Sequence, residues 1–452
     1  MPVIHAAKAL TPSGWASNAR LLLEGAHIGR VEIGAAPRAG DERHEIVLPA
    51  LSNLHSHAFQ RGMAGLAEFR GSERDTFWTW RETMYRFALL MTPDDVEAIA
   101  GQLYVEMLEA GFAAVAEFHY LHNAEDGSPY ANRAELAGRI VAAAQLAGVG
   151  LTLLPVFYAH ATFGGAPPRP EQRRFVTSVD GFAKLVEDSR GLLRGDPLAA
   201  VGVAPHSLRA VTPEELRNVA AMGAKGPIHI HAAEQTREVE DCLAWSGARP
   251  VAWLLDHIGV DARWSLIHAT HMNDDETRRL ARSGAVAGIC PITEANLGDG
   301  IFNGAAYLAA GGRFGVGSDS NVAIGAAEEL RQFEYAQRLR ERARNVSAAG
   351  GGSTGRAIYD LACAGGAQAL GRASGRLAPG AVADLVSLEA AHPVLAARDG
   401  DHILDAWIFA GGSALVDCVW SGGRKVVEGG RHKNREAIAV RFAATMRRLC
   451  AG

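Results

Sequence analysis

From about residue 110 onward, short apolar runs alternate with longer segments whose apolar residues recur at helical spacing. The runs at 113–118, 151–157, 200–204, 228–231, 265–268, 286–290 and 314–317 read as buried strands. The run before His55, Ile46-Val47-Leu48 followed by Pro49-Ala50-Leu51, supplies an eighth. Between them, 94–110, 134–147, 213–222, 238–257 and 274–283 read as helices with polar starts. Eight such β–α units predict an α/β fold, a (β/α)8 barrel. A doubly wound open sheet is the rival architecture, but no GxGxxG follows the first strand to support it.

The two chain ends are patterned differently. Residues 19–23, 27–33, 383–388, 417–420 and 425–427 alternate apolar and polar positions between turn residues, as antiparallel strands do. These ends predict a small β-sandwich domain built from both termini. The expected organisation is a first β part over 1–48, the barrel over 49–370, a second β part over 371–432 and a C-terminal helix over 433–452, its core about 436–450. The glycine-rich stretch 347–355 reads as a flexible loop. The stretch 163–170, after the third strand, reads as an active-site loop or as a surface excursion.

Composition narrows the partners. The net charge of −5 carries no basic bias, so neither nucleic acid nor an anionic membrane is expected. No apolar stretch reaches the roughly 20 residues of a membrane span, and the first residues lack the pattern of a signal peptide. The five cysteines are scattered and never in a CxxC pair, which favours free thiols and a cytoplasmic location and argues against a thiolate zinc site.

The chemistry-bearing residues gather at the predicted strand ends, where barrel enzymes place their active sites. Strand one ends in His55 and His57, two residues apart on an extended segment and so on one side of it. Two such imidazoles can share one metal ion, usually zinc, although alone they could equally be core or surface histidines. Strand two ends in Glu117-Phe118-His119-Tyr120, and strand four in Pro205-His206-Ser207-Leu208-Arg209. Strand five carries His229-Ile230-His231-Ala232-Ala233-Glu234, strand six His268, and strand eight Ser318-Asp319. A strand-end histidine is often a satisfied polar residue and an aspartate after a strand is often a helix cap. Coincidence on six strands is hard to explain that way.

This ordered set (HxH, HxxE, His, then Asp in GSD) resembles the amidohydrolase superfamily, in particular its mononuclear deaminase branch. The segment 375–386, GRLAPGAVADLV, resembles the stretch with which such enzymes re-enter their small β domain. The resemblance implies that His55, His57, His231 and Asp319 hold one zinc per chain. It also implies catalytic roles for Glu234, His268 and Asp319. Asp319 would take a proton from the attacking water, His268 would orient that water, and Glu234 would protonate the substrate nitrogen. His229 faces inward one layer deeper and is assigned to packing. Strand four ends in VGVAPHS, without the lysine that bridges two metals in binuclear relatives, so one metal is expected.

Further segments, including NLHSHAFQRGMAGLAE, Phe77-Trp78-Thr79-Trp80-Arg81, AEFHYLH, PHSLRAVTP and TEANLGDG, resemble within that branch an enzyme of bacterial histidine breakdown. It deiminates a linear formimidoyl amino acid with two carboxylates. Two anions call for donor-rich clamps, and arginine's planar fork suits a carboxylate best. Arg81 and Arg209 are the candidate clamps, with Gln60, Tyr120 and His206 as neutral donors. The resemblance groups Gln60, Tyr120 and Arg209 at the α-carboxylate, and Arg81 with His206 at the other. Arg61 and Arg331 are read as structural charges, and Trp78 and Trp80 as pocket walls or core. A deaminase of guanine, cytosine or an adenosine derivative is the enzymatic alternative, and a barrel without chemistry the non-enzymatic one. A homodimer is what the resemblance implies for assembly.

Overall fold

The computed structural model describes residues 2–70, 75–223, 225–348 and 350–451. Parallel strands follow one another as Leu51–Ser56, Phe112–His119, Gly150–Phe157, a fourth in two short pieces (Ala200–Val201 and Ala204–Pro205), Ile228–Ala232, Trp264–His268, Val286–Ile289 and Arg313–Val316. The second and third are buried along their whole length, as strands are when helices cover one face and a packed interior the other. Parallel bridges Val203↔Ile228 and Ser56↔Asp319 join the strand sets into a closed (β/α)8 barrel. The second seam needs Gly317: a Cβ there would lie 2.8 Å from the backbone N and O of His55.

Helices start where side chains can accept their free N–H groups. Thr92 with Asp95 caps Pro93–Glu109, Thr212 with Glu215 caps Pro213–Met222, and Asn273 with Glu276 caps Asp274–Ser283. The helix expected over 238–257 is two helices, Thr236–Ser246 and Pro250–His257. Gly247 ends the first in the left-handed conformation (φ 74°), and Pro250 opens the second, where its missing N–H costs nothing.

The apolar run Ile46-Val47-Leu48 belongs to the strand Glu42–Pro49 of the terminal sheet, and the first barrel strand begins only at Leu51. His55 therefore lies inside that strand. Both chain ends form one eight-stranded mixed sheet. At its middle Glu42–Pro49 pairs in parallel with Val3–Thr11 and antiparallel with Leu385–Leu388. Ile4, Leu21, Leu23, Val47, Leu385 and Trp420 pack on one face of it. Asp384, from the GRLAPGAVADLV segment, is buried against Arg372 (2.7 Å) and accepts the Gly422 N–H, which anchors the return of the chain. A helical excursion, Asp401–Gly411, interrupts this second β part where only strands were expected. The last helix, Arg435–Cys450, lies on Pro93–Glu109 through Arg441–Glu97 (2.9 Å) and Arg435–Glu109 (2.5 Å).

Candidate active site

The cavity opens at the C-terminal ends of the barrel strands. All the candidate residues except His55 and His268 line it, and those two stand directly behind. The Nε2 atom of His55 is 3.2 Å from that of His57 and 3.1 Å from that of His231. Oδ1 of Asp319 is 3.1 Å from His57 Nε2 and 3.4 Å from His55 Nε2. All four residues are buried, and their ligand atoms fall within 4.8 Å of one another.

The outer hydrogen bonds decide what these rings present. Nδ1 of His57 donates to the Phe118 carbonyl and Nδ1 of His231 to the His206 carbonyl, each at 2.9 Å. With the proton held there, each Nε2 turns a lone pair inward. Burial keeps His231 neutral, and His55 too, lowered to about 3. Burial alone would raise Asp319, but its contacts with His55 and His57 outweigh this and keep it ionised. Inward lone pairs around a carboxylate repel one another unless a cation sits among them, and this donor set suits zinc. The residues present therefore fit a single metal ion.

His268 and Glu234 complete this end. Nε2 of His268 faces Glu234 Oε1 at 3.7 Å and Asp319 Oδ2 at 3.9 Å, with no hydrogen-bond partner of its own. Its Nδ1 lies 3.2 Å from Oε1 of buried Glu294, which also accepts the Cys290 N–H. Burial disfavours the His268 cation, but Glu234, Glu294 and Asp319 together raise it to about 10. Burial pushes the Glu234 carboxyl up, against the pull of His268 and Arg209, so that it can carry a proton to a substrate. Backbone at His268 (φ 69°) and Asp319 (φ 45°) is in the left-handed region, a strained conformation common at reactive sites.

The other end of the cavity carries donors. Gln60 donates from Nε2 to the Tyr120 hydroxyl at 2.6 Å, and its Oε1 is buried without a partner. The His206 ring lies against Tyr158, with Nδ1 3.1 Å from Ser207 Oγ. Arg209 is buried, and Arg81 reaches in from the helix Phe77–Ala88. Trp80, Tyr85, Tyr158 and Phe175 form walls. From the 163–170 stretch, Arg169 clasps Glu82 at 3.0 Å and so ties that loop to the helix bearing Arg81. His229 is buried beneath the site, bonded to the Ala369 carbonyl. Arg61 pairs with Glu106 and Arg331 lies beside Glu328, both away from the cavity lining.

Two acids went unassigned in the sequence reading. Glu294 lies within TEANLGDG, but its pairing with His268 depends on the fold. Glu117 accepts the Ala58 N–H at 2.6 Å directly after His57, and burial raises it to about 7. Its position beside Phe118-His119 was the only signal.

The chain belongs to the amidohydrolase family, whose model matches residues 46–426. Residues 1–45 match the model described as the N-terminal domain of formimidoylglutamate deiminase HutF. The chain is 50% identical over 452 residues to the formimidoylglutamate deiminase of Pseudomonas aeruginosa, covering 99% of this chain and 100% of that one. It is 31% identical to the 8-oxoguanine deaminase of the same species, over 76% of this chain and 74% of that one. Among solved structures, an amidohydrolase from Brucella melitensis superposes with a TM-score of 0.96 at 56% identity, over 99% of this chain and 100% of its own. An adenosine deaminase from Xanthomonas campestris with bound zinc shares the fold (TM-score 0.84, 20% identity, 100% and 98% covered).

Proposed function

We propose that this chain hydrolyses N-formimidoyl-L-glutamate to N-formyl-L-glutamate and ammonia, in histidine degradation, with one zinc per chain. The observation that carries the reading is a single cavity lined both by a hydrolytic cluster and by two guanidiniums, Arg81 and Arg209. The likeness to the Pseudomonas aeruginosa enzyme supports it along the whole chain.

His55, His57, His231 and Asp319 would hold the metal, which when bound lowers the pKa of a water from ~15.7 to about 7. Glu234 donates its proton to the amidine nitrogen, making the formimidoyl carbon electrophilic. Asp319 removes a proton from the water as its oxygen bonds to that carbon, and His268 orients the water through Nε2. In the resulting tetrahedral carbon, Glu234 takes back the hydroxyl proton while Asp319 passes its own to the nitrogen. The C–N bond then breaks, ammonia leaves and the formyl C=O forms. Gln60, Tyr120 and Arg209 hold the α-carboxylate, and Arg81 with His206 the other, which fixes the amidine over the cluster.

The reading includes a cytoplasmic location and a homodimer. Five unpaired cysteines support the first. The likeness to the family supports the second, which light scattering would check. Among the described residues no helix is long and apolar enough to cross a membrane. The decisive assay is ammonia release from formimidoylglutamate beside guanine, cytosine and adenosine, with metal content measured on the same sample. Release from formimidoylglutamate alone is expected. No release from it by metal-loaded protein sinks the proposal.

A further inference from the structure

The two guanidiniums that line the cavity are compensated unequally. Among the described residues Arg81 makes no ion pair, and its Nε is buried without a partner. Arg209 is buried, its nearest carboxylates being Glu234 at 3.5 Å and Glu238 at 3.9 Å, and its Nε is unpartnered too. Burial weakens the Arg81 cation, and the charge of Arg209 acts on it in the same direction. Two like charges held together out of water need a compensating attraction.

One side chain faces both. The Arg81 guanidinium carbon lies 4.6 Å from the ring centre of Trp78, and that of Arg209 lies 5.9 Å from the same ring. Arg237 approaches it as well, at 5.0 Å, from a more exposed position where it also neighbours Asp241 at 3.7 Å. Trp78 is held in turn. Thr76 caps its helix through the Trp78 N–H, and Phe77 meets the indole edge-to-face at 5.1 Å. Trp78 does not line the cavity.

Buried acids stabilise Arg209, but an acid on Arg81 would occupy the N–H fork that a substrate carboxylate must reach. An aromatic ring attracts a guanidinium through its face and leaves the N–H edge free. We infer that Trp78 is a positioning residue that stands in for a counter-ion at Arg81 and steadies Arg209 beside it, so that the Arg81 N–H edge stays open for substrate. The inference rests on the proposed function for the identity of the ligand, though not for the requirement of two carboxylates.

The test compares wild type, W78F and W78L as metal-loaded full-length protein, with melting temperature checking the fold. Glutarate serves as a dicarboxylate probe and formimidoylglutamate as substrate. W78L should weaken glutarate binding and raise KM about tenfold, with kcat within about threefold of wild type. W78F, which keeps a ring face, should recover most of the loss. A W78L protein that binds glutarate within twofold of wild type overturns the inference, as does a W78F protein no better than W78L. If wild type binds glutarate but does not release ammonia from formimidoylglutamate, the proposed function fails while the role of Trp78 is still decided by the glutarate series.

Discussion

In the histidine–aspartate cluster of the cavity, His57 and His231 are each locked by a hydrogen bond to a backbone carbonyl at a strand end. Elsewhere in the cavity lining, Arg81 comes from a helix outside the barrel and rests on ring faces, with no acid among the described residues to fix it. The first arrangement satisfies the outer donors of His57 and His231 and turns their lone pairs inward, which suits a cation. The second satisfies charge without consuming donors, which suits anions. One pocket thus combines opposite electrostatic environments by opposite means, directional bonds for the histidine cluster and face contacts for the guanidiniums. Chemistry and selection of substrate should accordingly separate under mutation.

The sharpest separation is expected from Glu234→Gln, which keeps the shape of the side chain and removes its proton. Steady-state kinetics should show kcat reduced on the order of 10³-fold with metal content unchanged. A rate within tenfold of wild type would move the acid elsewhere. At the other end, Arg81→Lys and Arg209→Lys retain the charge and lose the fork. Each should raise KM by roughly 10–100-fold with a smaller change in kcat. If kcat falls as much as KM rises, the two ends are not separable and the comparison breaks.

Glu294→Gln should have the smallest effect, lowering kcat by about tenfold with little change in KM. Glu294 is one of three carboxylates that raise His268 against burial. Its neutralisation lowers His268, so the alkaline limb of the kcat profile should move toward lower pH. A limb that stays in place would show that Glu294 does not act through His268.

The contrast between the two ends also governs how far the sequence could be read. The positions of the candidate residues were legible because each directly follows an apolar run, so His231, Glu234, His268 and Asp319 announce their strands and their faces together. Arg209 shares that advantage. Glu294 and Trp78 do not, because what they do depends on which ring or charge the folded chain brings beside them. In the fold, the barrel was legible from alternation, while its details were set by single residues. Gly247 and Pro250 divide one apparent helix, and the chain passes from the terminal sheet into the barrel at Pro49-Ala50 with no polar break to mark it.

The seam between the first and last barrel strands, where Ser56 pairs with Asp319 and Gly317 lies against His55, runs through the ligand cluster itself. Its two sides are more than half the chain apart, so the site can be assembled only after the intervening barrel has formed. Loop-closure entropy places that contact late in folding. A cation bound there would favour the closed ring over every opened form, because only the closed ring offers the whole donor set. The histidine–aspartate cluster doubles as the clasp of the barrel.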